Sequence, residues 1–276
     1  MSTASLPGTG PVTVPGTTLS VHALGTGPPL LLVHGGGEDA SMLADQAASL
    51  AAAGFHVITY DRRGTGGSGR DDWPGSGANQ HADDAAALLG TLGHRSAVVV
   101  GVSSGALIAL DLAVRHPALV EHVVAWEPPA LGLLPDAAAQ GDDVMAPVQA
   151  HLAAHPGDYV GAQAILLSAI LDFPVEVDDP AFAPARANAE PMIRDEPTIA
   201  LVHLDPAELR AMPSTVVVGT SPNDVVAAAV RALTEITGRE PVTVDADHEV
   251  YLSDPAVLTD VVRVAAGRVM ERQVGS

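Results

Sequence analysis

Three observations predict an α/β fold with a mainly parallel central sheet and helices on both faces. Short apolar runs alternate with Ala/Leu-rich stretches along the 276 residues, the pattern of strands separated by crossover helices. Two of the runs, Leu30–Val33 and Ser96–Val100, lead directly into glycine-rich turns. A region from Pro128 to Pro206, rich in Pro, Ala and Asp, then interrupts the rhythm without a convincing central strand. Strands are expected at Leu19–Ala23, Leu30–Val33, His56–Tyr60, Ser96–Val100, Val120–Ala125, Thr215–Val218 and Val242–Val244. Helices are expected at Ser41–Ala53, Asn79–Leu92, Ser103–His116, Asp224–Thr237 and Asp254–Glu271. The Pro/Gly-rich start, Leu6–Gly16, reads as an arm before the first strand. Residues 1–127 and 207–276 form one core, and residues 128–206 form a mostly helical insertion. No internal repeat is visible.

Composition excludes several functional classes. Thirteen Lys and Arg against 33 Asp and Glu leave a formal net charge of −20, which repels phosphate backbones and anionic lipid surfaces, so nucleic acid and membrane are not expected partners. The absence of cysteine removes disulfides and thiolate metal sites. Residues 1–10 carry neither a basic nor an apolar segment of a signal peptide, and the apolar runs are far shorter than a membrane span. A cytoplasmic location and a small-molecule substrate are the expectation; whether the chain is a monomer or a homodimer stays open.

Gly101-Val102-Ser103-Ser104-Gly105 sits between an apolar run and an Ala/Leu-rich stretch, giving strand, sharp turn and helix around one serine. That is the setting of a nucleophile elbow, in which flanking glycines let strand and helix approach and hold the hydroxyl at the strand end. Ser103 is the expected nucleophile. Three other landmarks accompany it in order: Leu31-Leu32-Val33-His34-Gly35-Gly36-Gly37 before it, then Tyr60-Asp61-Arg62-Arg63-Gly64-Thr65-Gly66-Gly67-Ser68, and, after the last expected strand, His248. Histidine suits a general base because its pKa near neutrality lets it take and return a proton. The remaining histidines, among them His94, His116, His151 and His203, have no metal-ligand spacing, so no metal and no cofactor are expected.

On these landmarks the chain resembles the α/β-hydrolase superfamily from about Thr18 to Arg268. The resemblance implies an α/β-hydrolase fold with the insertion as a helical cap over the active site. It implies an oxyanion donor in the glycine loop, at Gly36 or Gly37, and a second at the N–H of Ser104. It makes His34 a structural tether, and Asp61 with Arg62 or Arg63 a structural ion pair. For the triad acid, family position favours Asp224, after the seventh strand of the family sheet, although Asp224 could equally cap the following helix. The rival is Glu127, immediately after the sixth strand, where some lipases of the superfamily carry their acid. Trp126 is expected to flank the pocket, with Met145 and Met192 candidates for its lining. A serine at position 103 points to acyl transfer on an ester, lactone or thioester of a mostly apolar substrate. The alternatives are carbon–carbon bond hydrolysis or another hydrolytic modification of an aromatic or polyketide product, and a non-catalytic ligand-binding role.

Overall fold

A computed structural model describes residues 8–171 and 173–274. Eight strands form one sheet: β1 (Gly8–Val14), β2 (Thr17–Leu24), β3 (Pro29–Val33), β4 (His56–Tyr60), β5 (Ala97–Val102), β6 (Val120–Trp126), β7 (Ser214–Gly219) and β8 (Val242–Val244). Their spatial order is β1-β2-β4-β3-β5-β6-β7-β8. β1 and β2 pair antiparallel, β2 meets β4 antiparallel, and the rest of the sheet is parallel. The arm expected at Leu6–Gly16 is therefore largely strand β1; Leu6 and Pro7 lie outside the described residues. Pro11 is tolerated because β1 is an edge strand with no outer partner for a lost N–H. Val14 is buried and Val12 partly so, both against the core.

Side-chain alternation along the central strands builds two hydrophobic layers. Leu31, Val33, Ile58, Val99 and Val123 point to one face, covered by α2 (Ala78–Thr91), α3 (Ser104–Arg115) and α8 (Asp224–Thr237). Leu30, Leu32, Val57, Val98, Val100, Val124 and Trp126 point to the other, covered by α1 (Ala44–Ala52) and α10 (Pro255–Val274). β3 and β5 are nearly continuous apolar runs because both of their faces are covered.

Between β6 and β7 the described chain forms α4 (Ala137–Ala154), α5 (Tyr159–Leu171), α6 (Ala189–Ala200), α7 (Pro206–Ala211) and short 3-10 turns. Val148, Ala162, Leu166, Met192 and Ile193 give α4, α5 and α6 a small core of their own. Among the described residues, no helix is long and apolar enough to cross a membrane.

Candidate active site

Ser103 lies at the abrupt junction of β5 and α3, with φ 51° and ψ −124°. A non-glycine residue in this region costs about 1–3 kcal/mol and persists only where the surroundings enforce it. The enforcement is visible in the flanking glycines. A Cβ on Gly105 would run into the carbonyl oxygens of Val33 and His34, and one on Gly101 into the backbone of Gly105 and Ala106. Only glycine lets α3 press this closely on β3 and on its own strand. The Ser103 N–H donates to Trp126 O at 2.9 Å, tying the elbow to β6.

His248 follows β8 and precedes the short helix α9 (Val250–Ser253). Its carbonyl accepts a hydrogen bond from Trp126 Nε1 at 2.8 Å, and its ring Nδ1 meets Glu127 Oε2 at 2.5 Å. The other oxygen, Oε1, accepts from the Gly219 N–H at 2.9 Å, so the carboxylate of Glu127, only 2% exposed, is held at both ends. Glu127 can make this reach because its backbone turns through φ 43° directly after β6, swinging the side chain over the end of neighbouring β7. With Nδ1 committed to the carboxylate, Nε2 is the ring nitrogen left to exchange a proton.

Asp224, favoured for this role on family position, does not pair with His248. It is the first residue of α8, just behind the cap Asn223, whose Oδ1 accepts from the Val226 N–H at 2.9 Å. Residues 220–223 carry the chain away from the end of β7 before Asp224 is reached. Its charge sits favourably at a helix N-terminus, and it lines the cavity.

Burial pulls the His248 pKa down, but the hydrogen bond and charge of Glu127, with weaker pulls from Glu38 and Glu249, more than offset it and leave the imidazole above its ordinary 6.5. Only neutral imidazole can accept a proton from a hydroxyl, so kcat/KM is expected to fall with decreasing pH through a pKa above 6.5, measured on a neutral ester,. A flat profile across that limb would remove His248 as the base.

The glycine loop is held from behind. His34 Nδ1 lies 2.8 Å from Gly35 O, and its Nε2 accepts from the Arg62 N–H at 3.1 Å. Burial, then the Arg62 charge, hold this imidazole well below the usual range, so it is a neutral tether, with Nδ1–H donating. Gly36 lines the cavity with Ser103 and Ser104. Gly37 is not among the lining residues; a Cβ there would meet Met192 and Gln163. Of the two expected oxyanion donors, Gly36 is the one at the cavity wall.

Other expectations are corrected. Trp126 is fully buried in the layer beneath α10 rather than flanking the cavity, because alternation along β6 places it on the same face as Val124. Its contribution is the hydrogen bond to His248 O. Asp61 pairs with neither arginine: it accepts from the backbone N–H groups of Ala40 and Gly67 at 2.9 and 2.8 Å. Arg62 instead pairs with Glu196 of α6 at 2.5 Å, and Arg63 with Asp84 of α2 at 2.6 Å.

The cavity encloses about 1080 Å³. Its floor is Gly36, Ser103, Ser104 and His248, and the insertion supplies walls that include Met145, Leu166, Ile170 and Met192. Both methionines named from the sequence are there. Among the lining residues that were not anticipated are Glu38, Glu196 and Tyr251. Glu38 follows the glycine loop immediately, so an acid one step beyond His-Gly-Gly-Gly was the available signal. Its carboxyl is pushed up to about 7 by burial, against opposing hydrogen bonds from Tyr251 and Gly35. Among the described residues, no group of three His, Cys, Asp or Glu is arranged to hold a metal ion.

Residues 28–153 match the family described as alpha/beta hydrolase fold. The uncharacterized hydrolase YraK of Bacillus subtilis is 43% identical over 126 residues, 45% of this chain and 46% of that protein. The 2-(acetamidomethylene)succinate hydrolase of Mesorhizobium japonicum is 37% identical over 108 residues, 39% of this chain and 38% of the relative. The matches thus span less than half the length of either curated relative. Solved structures align over nearly the whole chain. A thermophilic esterase from Thermogutta terrifontis, malate bound, superimposes with a TM-score of 0.70 at 25% identity, covering 96% of this chain and 99% of its own. An alpha/beta hydrolase from Sphaerobacter thermophilus gives 0.72 at 24% identity, covering 94% and 98%.

Proposed function

Because the chain belongs to the α/β-hydrolase superfamily, we propose that it is a serine hydrolase acting on an ester, lactone or thioester of a small to medium, mostly apolar substrate. The observation that carries this reading is the strained Ser103 at the floor of a cavity it shares with His248, whose ring is held by the buried Glu127. A binding protein has no use for that strain or for that buried carboxylate. In the proposed cycle His248 Nε2 takes the proton of Ser103 Oγ as the oxygen attacks the carbonyl carbon. Glu127 orients the ring and stabilises its charged form. The N–H groups of Gly36 and Ser104, the second at the positive end of α3, receive the developing oxyanion. Each such donor contributes about 2.7–4 kcal/mol to the transition state. His248 then protonates the leaving group, and water repeats the sequence to release the acid. The apolar walls supplied by the insertion, acting as a cap, select the acyl or alcohol portion.

A fluorophosphonate probe tests the reading through intact mass. One phosphonyl adduct is expected on the protein, located on the peptide containing Ser103, and none on Ser103→Ala. An unlabelled native protein, or an equally labelled variant, would overturn it.

A further inference from the structure

The peptide joining Gly35 to Gly36 has no side chain on either residue, so nothing intrinsic fixes which way it faces. A planar trans peptide points its C=O and N–H in opposite directions. Were this one to rotate, it would aim a carbonyl oxygen, not an N–H, at the cavity, replacing attraction for an oxyanion by repulsion. The surroundings prevent that. Gly35 O accepts from Arg62 Nη2 at 3.1 Å and from His34 Nδ1 at 2.8 Å, so the Gly36 N–H faces away from both. The preceding peptide is held as well: the Gly35 N–H donates to Glu38 Oε2 at 2.6 Å, and Glu38 Oε1 accepts from Tyr251 Oη at 2.8 Å.

Arg62 does not hold its position alone. Its Nη2 also donates to Glu196 Oε1 at 2.5 Å, its Nη1 lies 3.5 Å from Ser104 Oγ, and its Nε is buried with no partner among the described residues. Glu196 comes from α6, more than 130 residues away in the chain, and its carboxylate lies against Gly36: a Cβ built there would sit 2.9 Å from Glu196 Cδ. Arg62 stands on the loop after β4 and Glu196 on α6 of the insertion, so this bridge ties the insertion to the core beside the glycine loop.

We propose that Glu196, acting through Arg62, and Glu38 are positioning residues that lock the Gly35–Gly36 peptide with its N–H aimed at the substrate oxygen, so that docking of α6 onto the core and assembly of the oxyanion site are one event. The proposal rests on the serine-hydrolase reading.

The test compares Glu196→Gln and Glu38→Leu with the native enzyme on p-nitrophenyl butyrate. Inhibition by a trifluoromethyl ketone of matching chain length, whose hemiketal oxygen occupies the oxyanion site, is measured alongside. Loss of an interaction made only in the transition state lowers kcat and transition-state mimic affinity together. For Glu196→Gln, kcat and ketone affinity are each expected to fall about tenfold or more, with KM within twofold and the acid limb of the pH profile unmoved. Glu38→Leu, which leaves the Gly35 N–H without its acceptor, is expected to show the same parallel loss,. Should Glu196→Gln fail to fold because Arg62 is left buried and unpaired, the double variant Arg62→Met/Glu196→Leu removes both charges together and is expected to show the loss. Folded variants that keep kcat and ketone affinity within twofold would overturn the proposal while leaving the hydrolase reading intact. A native enzyme with neither turnover nor fluorophosphonate labelling would instead overturn that earlier reading.

Discussion

Glu127→Gln is expected to lower kcat by about 10²–10⁴ with little change in KM, while Asp224→Asn stays within about threefold of native. The magnitude follows from counting donors and acceptors. The native carboxylate faces two N–H groups, that of Gly219 on Oε1 and that of His248 on Oε2. Glutamine has the same shape but only one acceptor oxygen, its other terminus being a donor. If the oxygen stays on Gly219, the amide NH₂ confronts His248 Nδ1 and forces the tautomer with the proton on Nε2, which cannot accept from serine. If the oxygen turns to His248, the Gly219 N–H loses its partner and the imidazolium loses its counter-charge. The hydrogen bond and charge of Glu127 also raise the His248 pKa, so whatever activity survives should show its acid limb at lower pH than native. Steady-state kinetics of the two variants decide the matter. A collapsed kcat for Asp224→Asn beside a near-normal one for Glu127→Gln would return the acid to the loop after β7.

Removing the proposed nucleophile should have an even larger kinetic effect and a small stability effect of informative sign. Ser103→Ala is expected to lower kcat by about 10⁴–10⁶ with the melting temperature within a few degrees of native, since one hydroxyl is lost and the backbone conformation is unchanged. Ser103→Gly should be as inactive yet more stable than the alanine variant. At φ 51° and ψ −124° a side chain carries strain of about 1–3 kcal/mol. Glycine removes that strain but brings back about 0.4–1 kcal/mol of unfolded-state entropy. The balance favours glycine by about 1 kcal/mol, a rise of about 2 °C for a chain of this size. Thermal unfolding of the two variants measures the difference directly. Equal melting temperatures would mean that the elbow stores no strain for catalysis.

The parts of this molecule legible in its sequence are those that depend on neighbours along the chain. Apolar strands β3 to β7, the glycines around Ser103, the glycine loop and the position of His248 all announce themselves within ten residues. β1 did not, because Pro11 and its glycines read as an arm, and only pairing with β2 reveals an edge strand. The choice between Glu127 and Asp224 was not legible either: both sit just past adjacent strands, and what separates them is a positive φ at Glu127 and a reach across β7. Trp126 was misread although period-two alternation with Val124 already assigned it to the buried face. Asp61 was expected to pair with Arg62 or Arg63, but two backbone N–H groups have the stronger claim on that carboxylate, and Arg62 turns elsewhere. Its actual partner, Glu196, comes from a segment whose sequence says only that it is helical.

Drawing the acid from β6 has a consequence for how this scaffold can change. In the proposed assignment nucleophile and acid stand on adjacent strands, β5 and β6, already tied through Ser103 N–H and Trp126 O. The turn after β7 contributes to the proposed triad a single backbone group, the N–H of Gly219. Beyond that glycine, Ser221, Pro222, Asn223 and Asp224 all face the cavity without holding the imidazole. Evolution, or a library, can therefore lengthen or rewrite residues 220–222 to retune which molecules enter, with the reaction centre left undisturbed.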